Sequence, residues 1–224
     1  MALTKVDTTQ KDKEYLERFL EVKDSVLSTY KSNIDNIHFV APGWEGRLPQ
    51  PEIKGWRMCH LFSTETPEEA TITGADTRQT NINLFNQITT SLEGIPSHVH
   101  VLGSSIMEAF PGIEESWHEE PHPIEQGFKR YHIPLTAPAG YSLGVIVNGV
   151  QQQYNWEEGF VFEFNPTETH QVMHSGSGTE SRLVWIIDVI ENSELTTEEL
   201  RTEMMSSWMI GKQGVRWQRQ PIID

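Results

Sequence analysis

The hydrophobic period of the chain changes to two near residue 97, and this change limits the folds that the sequence can adopt. Between residues 97 and 190, short apolar runs alternate with turn residues. In the run that begins at Tyr141, apolar side chains recur at every second position as far as Val147. A period of two is that of a β-strand, whose successive side chains point to opposite faces. The segment therefore predicts a series of strands.

The turns between these runs are too short to hold helices. Asn148-Gly149 separates two strand-like runs, and Asn-Gly is the strongest short hairpin signal because a type I′ turn needs positive φ twice. A doubly wound α/β sheet needs a helix between successive strands, and residues 97–190 leave no room for one. We predict about six to eight strands in a mainly β jelly-roll or barrel fold of cupin-like type.

Helical patterns flank the strands. Residues 10–30 and 77–92 each place apolar side chains on one stripe at helical spacing. Thr196 and Glu199 have the spacing of a capping box, which predicts a C-terminal helix. We predict a single domain in three parts: a helical or mixed N-terminal part over 1–96, a β core over 97–190, and a C-terminal helix and tail over 191–224.

The charge and the cysteine content exclude several classes of protein. With 32 acidic and 17 basic residues the formal net charge is −15, which disfavours nucleic acids and anionic membranes as partners. The single cysteine, Cys59, excludes an intrachain disulfide and lies in an apolar run, so we interpret it as a core residue. We find no secretion signal and no transmembrane segment, and we expect a cytoplasmic protein with a small-molecule or peptide substrate. The oligomeric state is not indicated.

Histidines and carboxylates cluster in the β segment at a spacing that suits a metal. On a strand His118 and Glu120 point to the same face, and His170 lies on another strand 52 residues later. Two histidines and one carboxylate leave coordination positions open, as in the facial triad of non-haem iron(II) oxygenases. His122 is an alternative first ligand, and His174 is a candidate to support the ligands from behind.

Two arginines accompany these histidines. Arg130 and His132 alternate on "KRYHIPL" and face the same way, while Arg182 begins the apolar run "RLVWIIDV". A guanidinium fork is what a bound dicarboxylate needs, although arginines that pair with surplus acids at the surface give the same pattern. Three tryptophans are candidates for either a pocket wall or the core: Trp117, Trp156 and Trp185.

At these positions the sequence resembles the aspartyl/asparaginyl β-hydroxylase family of 2-oxoglutarate-dependent iron(II) oxygenases. Four segments between residues 97 and 190 match in family order: "EAFPGIEESWHEE", "KRYHIPL", "WEEGFVFEFNPTETHQV" and "RLVWIIDV". The resemblance implies a double-stranded β-helix fold. It also implies that iron and 2-oxoglutarate are held by five side chains, namely His118 and His170 for the metal and Arg130, His132 and Arg182 for the co-substrate.

Glu120 departs from the family pattern, in which some members carry glycine and others aspartate at this position. We expect Glu120 to bind the iron directly, and a carboxylate here favours hydroxylation over halogenation because a halide needs that coordination position. We prefer His118 to His122 as the first ligand, because only His118 keeps the family's spacing from Pro111-Gly112.

The sequence thus predicts an Fe(II)- and 2-oxoglutarate-dependent dioxygenase. Its expected reaction is hydroxylation of an unactivated C–H bond of an amino acid, an Asp/Asn-type peptide residue or a similar small metabolite, with release of succinate and CO2. No catalytic residue is predicted beyond the metal site. Two alternatives stay open: a cupin-like metalloenzyme that does not use 2-oxoglutarate, and a non-catalytic β-sandwich binding module.

Overall fold

A computed structural model of the chain describes residues 3–37, 39, 55–62, 75–113, 117–118, 128–175, 178–197 and 199–200. The helices within these ranges are α1 (Glu17–Ser32), α2 (Ala75–Leu84) and α3 (Asn86–Glu93), with short 3-10 helices at Glu14–Leu16 and Ile34–Asn36. The strands are β1 (Thr4–Lys5), β2 (Trp56–Phe62), β3 (Val99–Ala109), β4 (Phe128–Pro134), β5 (Tyr141–Val147), β6 (Val150–Asn155), β7 (Phe162–Phe164), β8 (His170–His174) and β9 (Arg182–Glu191).

The strands form two antiparallel sheets. The larger sheet has the order β1-β7-β4-β9-β3-β2, and the smaller sheet has the order β6-β5-β8. An apolar cluster joins them, with Leu143, Val145 and Val172 from the smaller sheet packed against Ala109 and Phe162 from the larger. From β3 onward the chain passes back and forth between the sheets, as in a jelly roll. The predicted mainly β double-stranded β-helix fold is confirmed.

The predicted hairpin between β5 and β6 is also confirmed. Val147 pairs with Val150 across the turn. Asn148 has φ 51° and Gly149 has φ 75°, the two positive values that a type I′ turn requires. Among the described residues after position 97 there are seven strands, within the expected number.

Helix α1 covers the outer face of the larger sheet. Its buried Phe19 meets the ring of Trp185 on β9 edge-on, with 5.2 Å between the ring centroids. Ile187, two residues further along β9, belongs to the same apolar cluster. Because side chains alternate along a strand, the even-numbered residues of β9 face the smaller sheet instead. Both faces of β9 are therefore buried.

The second predicted helix is in place but is not continuous. It is divided into α2 and α3 at Phe85, whose φ of −110° and ψ of 49° lie outside the helical region. The Phe85 side chain is fully buried in the core. We infer that burial of this ring offsets the loss of helical backbone, which the apolar stripe alone did not reveal.

The N-terminal part also contains two strands that the sequence analysis did not predict, β1 and β2. Strand β2 pairs with β3 along the edge of the larger sheet. Cys59 lies on it and is fully buried, as expected for a core residue. Burial raises the pKa of its thiol to about 12, so the side chain stays protonated.

The capping box at the start of the C-terminal helix is confirmed. The backbone N–H of Thr196 donates to Glu199 Oε2 at 2.8 Å, and the N–H of Glu199 donates to Thr196 Oγ1 at 3.2 Å. Leu200 packs into a small apolar cluster with Phe128 and Ile190. The rest of the predicted helix and tail, residues 201–224, lies outside the described residues. None of the helices in the described ranges has the length and apolar character that a membrane span needs.

A buried carboxylate fastens the start of α1 to the larger sheet. Glu191, at the end of β9, is 8% exposed and accepts hydrogen bonds from Tyr131 at 2.6 Å and Tyr15 at 3.0 Å. It also pairs with Lys13 and, at 3.0 Å, with Lys129. Burial acts to raise the pKa of Glu191, but hydrogen bonds from Lys13, Tyr131 and Lys129 outweigh it and lower the pKa to about 2.

We expect Glu191→Gln to remove an acid-dependent part of the free energy of unfolding. The folded-state pKa lies below the ordinary value of 4.5, so the stabilisation is complete above about pH 4.5 and is lost as the pH falls towards 2. The parent should therefore lose roughly 3 kcal/mol over this window, and the variant should lose that much less. Urea unfolding from pH 7 to pH 2 measures both. Glu194→Gln, at an exposed site, is the control, and equal pH dependence in parent and E191Q would contradict the assignment.

Candidate functional site

His118 and His170 lie side by side at one edge of the smaller sheet. Their backbones form an antiparallel bridge, with N–O distances of 3.0 and 2.8 Å. Residues paired directly across such a bridge present their side chains to the same face. The two imidazole rings accordingly have their centroids 4.3 Å apart. The structure thus brings together the two histidines that lie 52 residues apart in the sequence.

A backbone contact fixes the tautomer of His170. Its ring is 4% exposed, and Nδ1 lies 2.7 Å from the carbonyl oxygen of Glu168. A carbonyl oxygen only accepts hydrogen bonds, so Nδ1 carries the proton. In the neutral ring the lone pair is then on Nε2, which is the nitrogen that can coordinate a metal in this tautomer, and the hydrogen bond orients the ring.

The predicted carboxylate ligand Glu120 and the alternative ligand His122 lie outside the described residues, so both stay predictions. Within the part of the chain that the structure describes, no three His, Cys, Asp or Glu side chains are grouped closely enough to hold a metal. The described geometry therefore provides a pair of histidines, and Glu120, two residues beyond His118, is the side chain that we predict to complete it.

Arg182 and His132 share a buried region with Trp156. Arg182 is fully buried at the start of β9, and its guanidinium carbon lies 3.5 Å from the centroid of the Trp156 ring. The His132 ring is nearly parallel to Trp156, with 10° between the planes and 6.2 Å between the centroids. In the register of β4 and β9, His132 is opposite Ile186, which lies on the same face of β9 as Arg182.

Arg130 lies further along the same face of the larger sheet, on strand β4. Its Nε and Nη2 donate to the two carboxylate oxygens of Asp188, at 2.7 and 3.0 Å. Asp188 is directly opposite Arg130 on β9 and six residues from Arg182, about 20 Å along the strand. The bidentate pair accounts for one edge of the Arg130 guanidinium. A role for Arg130 in holding the co-substrate stays a prediction.

His174 contacts the turn at Gly112, which precedes His118 in the chain, rather than the His170 ring. Its Nδ1 accepts a hydrogen bond from the N–H of Gly112 at 3.1 Å, and its ring contacts Tyr141 with 4.4 Å between centroids. It lies about 13 Å along β8 from His170. Gly112 has φ 78°, which favours glycine at this turn. His174 therefore holds the turn that precedes the His118 segment.

A glycine on the outer face of the smaller sheet makes room for Trp117, a feature that the sequence analysis missed. A Cβ at Gly144 would lie 2.8 Å from Cη2 of Trp117 and 2.9 Å from Cε of Met173. Trp117 directly precedes His118, so its packing against the bare glycine anchors the backbone beside the histidine. The only signal was an isolated glycine inside a strand pattern, which marks a close approach of another group.

The family model for aspartyl/asparaginyl β-hydroxylase matches residues 17–192. The chain belongs to this family. The match confirms the resemblance and the expected class, an Fe(II)- and 2-oxoglutarate-dependent oxygenase. It also reaches further towards the N-terminus than the four segments between residues 97 and 190, because it includes helix α1.

Solved structures that the hydroxylase resembles include three oxygenase-type proteins. The first is an oxidoreductase of the 2OG-Fe(II) oxygenase family from Burkholderia pseudomallei, with 14% identity over 75% of this chain and 91% of that chain and a TM-score of 0.41. The second is a prolyl-4-hydroxylase from Pseudomonas putida, with 11% identity over 85% of this chain and 92% of that chain and a TM-score of 0.45. The third is HygX from Streptomyces hygroscopicus with nickel, 2-oxoglutarate and hygromycin B bound, with 9% identity over 77% of this chain and 80% of that chain and a TM-score of 0.44. No curated protein matches the chain. At these identities and TM-scores, the assignment depends on the family match alone.

We expect Gly144→Ala to weaken metal binding through Trp117. The added methyl group overlaps the Trp117 ring, so the ring and the adjacent His118 must shift, at a cost of about 1–3 kcal/mol in the free energy of unfolding. Titration with Ni²⁺ and urea unfolding measure the two effects. Trp117→Phe in the same chain removes the overlapping atoms and should restore metal affinity. Ile146→Val, two residues along the same face of β5, is the control. Unchanged metal affinity in G144A would contradict the role given to Trp117.

Proposed function

We propose that this hydroxylase binds Fe(II) through His118, Glu120 and His170, and binds 2-oxoglutarate through Arg182 and His132. The single observation that supports this most directly is the bridged pair of histidines, one of which has its Nε2 assigned as the lone-pair atom by the Glu168 carbonyl. When bound, the iron supplies the oxidative chemistry, in which O2 and 2-oxoglutarate are consumed and succinate and CO2 are released.

The histidine pair fits a divalent transition metal. Imidazole nitrogens are suitable ligands for iron, and the bridge presents two of them on one side of an ion. Glu120 would add a carboxylate oxygen in this proposal, and the three ligands on one side leave the other positions for the co-substrate and O2. His170 Nδ1 keeps its proton and donates it in a hydrogen bond to the Glu168 carbonyl, so that metal binding at Nε2 does not require a change of tautomer.

Arg182 fits the distal carboxylate of 2-oxoglutarate. A guanidinium binds a carboxylate through charge-assisted, bidentate hydrogen bonds, and such bonds are strong in a buried region like that of Arg182. Its guanidinium carbon lies 3.5 Å from the centroid of the Trp156 ring, and a carboxylate binds to the N–H edge of a guanidinium. His132, on the same face of the larger sheet as Arg182, is the second side chain that we assign to the co-substrate. Because one edge of Arg130 binds Asp188, we assign the distal carboxylate to Arg182.

The substrate that we propose is an amino acid, an Asp/Asn-type peptide residue or a similar small metabolite. The family description supports an aspartyl or asparaginyl group. The net charge of −15 favours neutral or cationic molecules over polyanions in the approach to the site. A carboxylate at position 120 supports hydroxylation as the outcome, because that coordination position is then not available to a halide.

Anaerobic titration of the metal-free protein with Fe(II) and 2-oxoglutarate should produce the visible charge-transfer band of the chelate. We expect the band to disappear in His118→Ala and His170→Ala, since each removes one of two adjacent ligands, and to persist in His122→Ala. His98→Ala is the matched control, because His98 is exposed and directly precedes β3. A band that survives in H118A but not in H122A would contradict the choice of first ligand.

Arg182→Met should separate co-substrate binding from metal binding. Loss of a bidentate, buried charge-assisted contact is expected to raise the Kd for 2-oxoglutarate about 100-fold or more while the affinity for the metal is unchanged. Arg18→Met, at an exposed arginine of α1, is the control. Tight metal binding in the parent with no 2-oxoglutarate chelate would favour the cupin-like metalloenzyme instead.

A further inference from the structure

We propose that Trp156 is a positioning residue for 2-oxoglutarate, which acts by fixing the plane of the Arg182 guanidinium. This inference rests on the proposed function, since it concerns the group that the guanidinium would bind. Trp156 follows β6 in the smaller sheet, and Arg182 begins β9 in the larger sheet. The two side chains therefore meet across the interior, in the region where His132 also lies.

The distance between the two groups defines their relative orientation. The guanidinium carbon is 3.5 Å from the centroid of the Trp156 ring, which is the contact distance of two stacked planar groups. An edge-on guanidinium would bring one or two nitrogens closer to the ring by about 0.7–1.3 Å, which is inside van der Waals contact. The distance therefore favours two planes that are close to parallel, in which the N–H groups of Arg182 are directed along the ring rather than into it.

Stacking of this kind prepares Arg182 for a carboxylate. The in-plane N–H directions are those that bind a carboxylate bidentately, and the face of the guanidinium is the part that Trp156 covers. An arginine side chain has many rotamers, and the ring removes those in which the fork is turned away. The cation–π attraction is strongest for tryptophan and increases when both partners are buried, as Arg182 and Trp156 are.

A second observation separates Trp156 from an ordinary core tryptophan. Trp185, on the outer face of β9, donates its indole N–H to Ser104 Oγ at 3.0 Å, as buried tryptophans usually do. The indole N–H of Trp156 is also buried, but it has no hydrogen-bond acceptor among the residues that the structure describes. Trp156 packs in the apolar cluster between the sheets, and its polar neighbours among the described residues are Arg182 and, at greater distance, His132.

The test compares two 2-oxo acids of equal chain length, 2-oxoglutarate and 2-oxopentanoate, which lacks the distal carboxylate. Binding of each to the Fe(II)-loaded protein is measured anaerobically from the chelate band. We expect Trp156→Leu to raise the Kd for 2-oxoglutarate about 10-fold or more, with less than about a 2-fold change for 2-oxopentanoate. Trp156→Phe keeps a ring with a weaker cation–π interaction, so its Kd for 2-oxoglutarate should lie between those of the parent and W156L.

Trp185→Phe is the matched control, because it alters a buried tryptophan on the outer face of the larger sheet, away from Arg182. It should lower the free energy of unfolding and leave the ratio of the two Kd values unchanged. Equal weakening of both acids in W156L, or an unchanged Kd for 2-oxoglutarate, would overturn the positioning role. Should W156L fail to fold, W156F decides, and a parent-like Kd for 2-oxoglutarate in W156F overturns the proposal. If the parent protein forms no chelate with 2-oxoglutarate, the proposed function itself is overturned. That result differs from one in which the parent forms the chelate and the Trp156 substitutions leave its Kd unchanged, which overturns only the positioning role.

Discussion

The alternation of side chains along β9 connects the core of the protein to its site. Trp185 and Ile187 point outward and pack under helix α1, while Arg182 points inward and meets Trp156. Because the side-chain period of a strand is two, a slip of one residue would exchange the two faces. The Arg182 guanidinium would then lie against helix α1, and the Trp185 indole would lie between the two sheets. The register that stabilises the core is thus the same register that directs Arg182 to the site.

Polar contacts at both ends of α1 hold this register. At one end the buried Glu191 carboxylate, the last residue of β9, binds side chains from the helix start. At the other end Tyr30 donates to Glu108 on β3 at 2.7 Å, and Arg57 on β2 donates to the same carboxylate at 2.6 Å. Hydrogen bonds and ion pairs depend on direction, so they favour one position of the helix on the sheet over neighbouring positions. Apolar packing alone discriminates less well between such positions.

Local patterns were sufficient for much of the fold and for the histidine pair. The period of two predicted the strands, and Asn148-Gly149 predicted the hairpin, because both depend only on neighbouring residues. His118 and His170 were predicted from spacing and strand faces together with the family resemblance. The sequence did not reveal the break at Phe85 or the space at Gly144, because each depends on which distant side chain packs there. The same holds for Arg182 and Trp156, which come from different sheets.

The bridge between His118 and His170 has a consequence for metal selectivity in the proposed site. Backbone hydrogen bonds, rather than the metal, set the separation of the two histidine backbones, so in the proposed site the pair would be a chelate whose spacing is largely set in the metal-free chain. Such a chelate would lose little conformational freedom on binding, and its affinity would follow the usual order Fe(II) < Co(II) < Ni(II) rather than favour iron. Discrimination among these ions then falls to the third ligand and to the supply of metal in the cell.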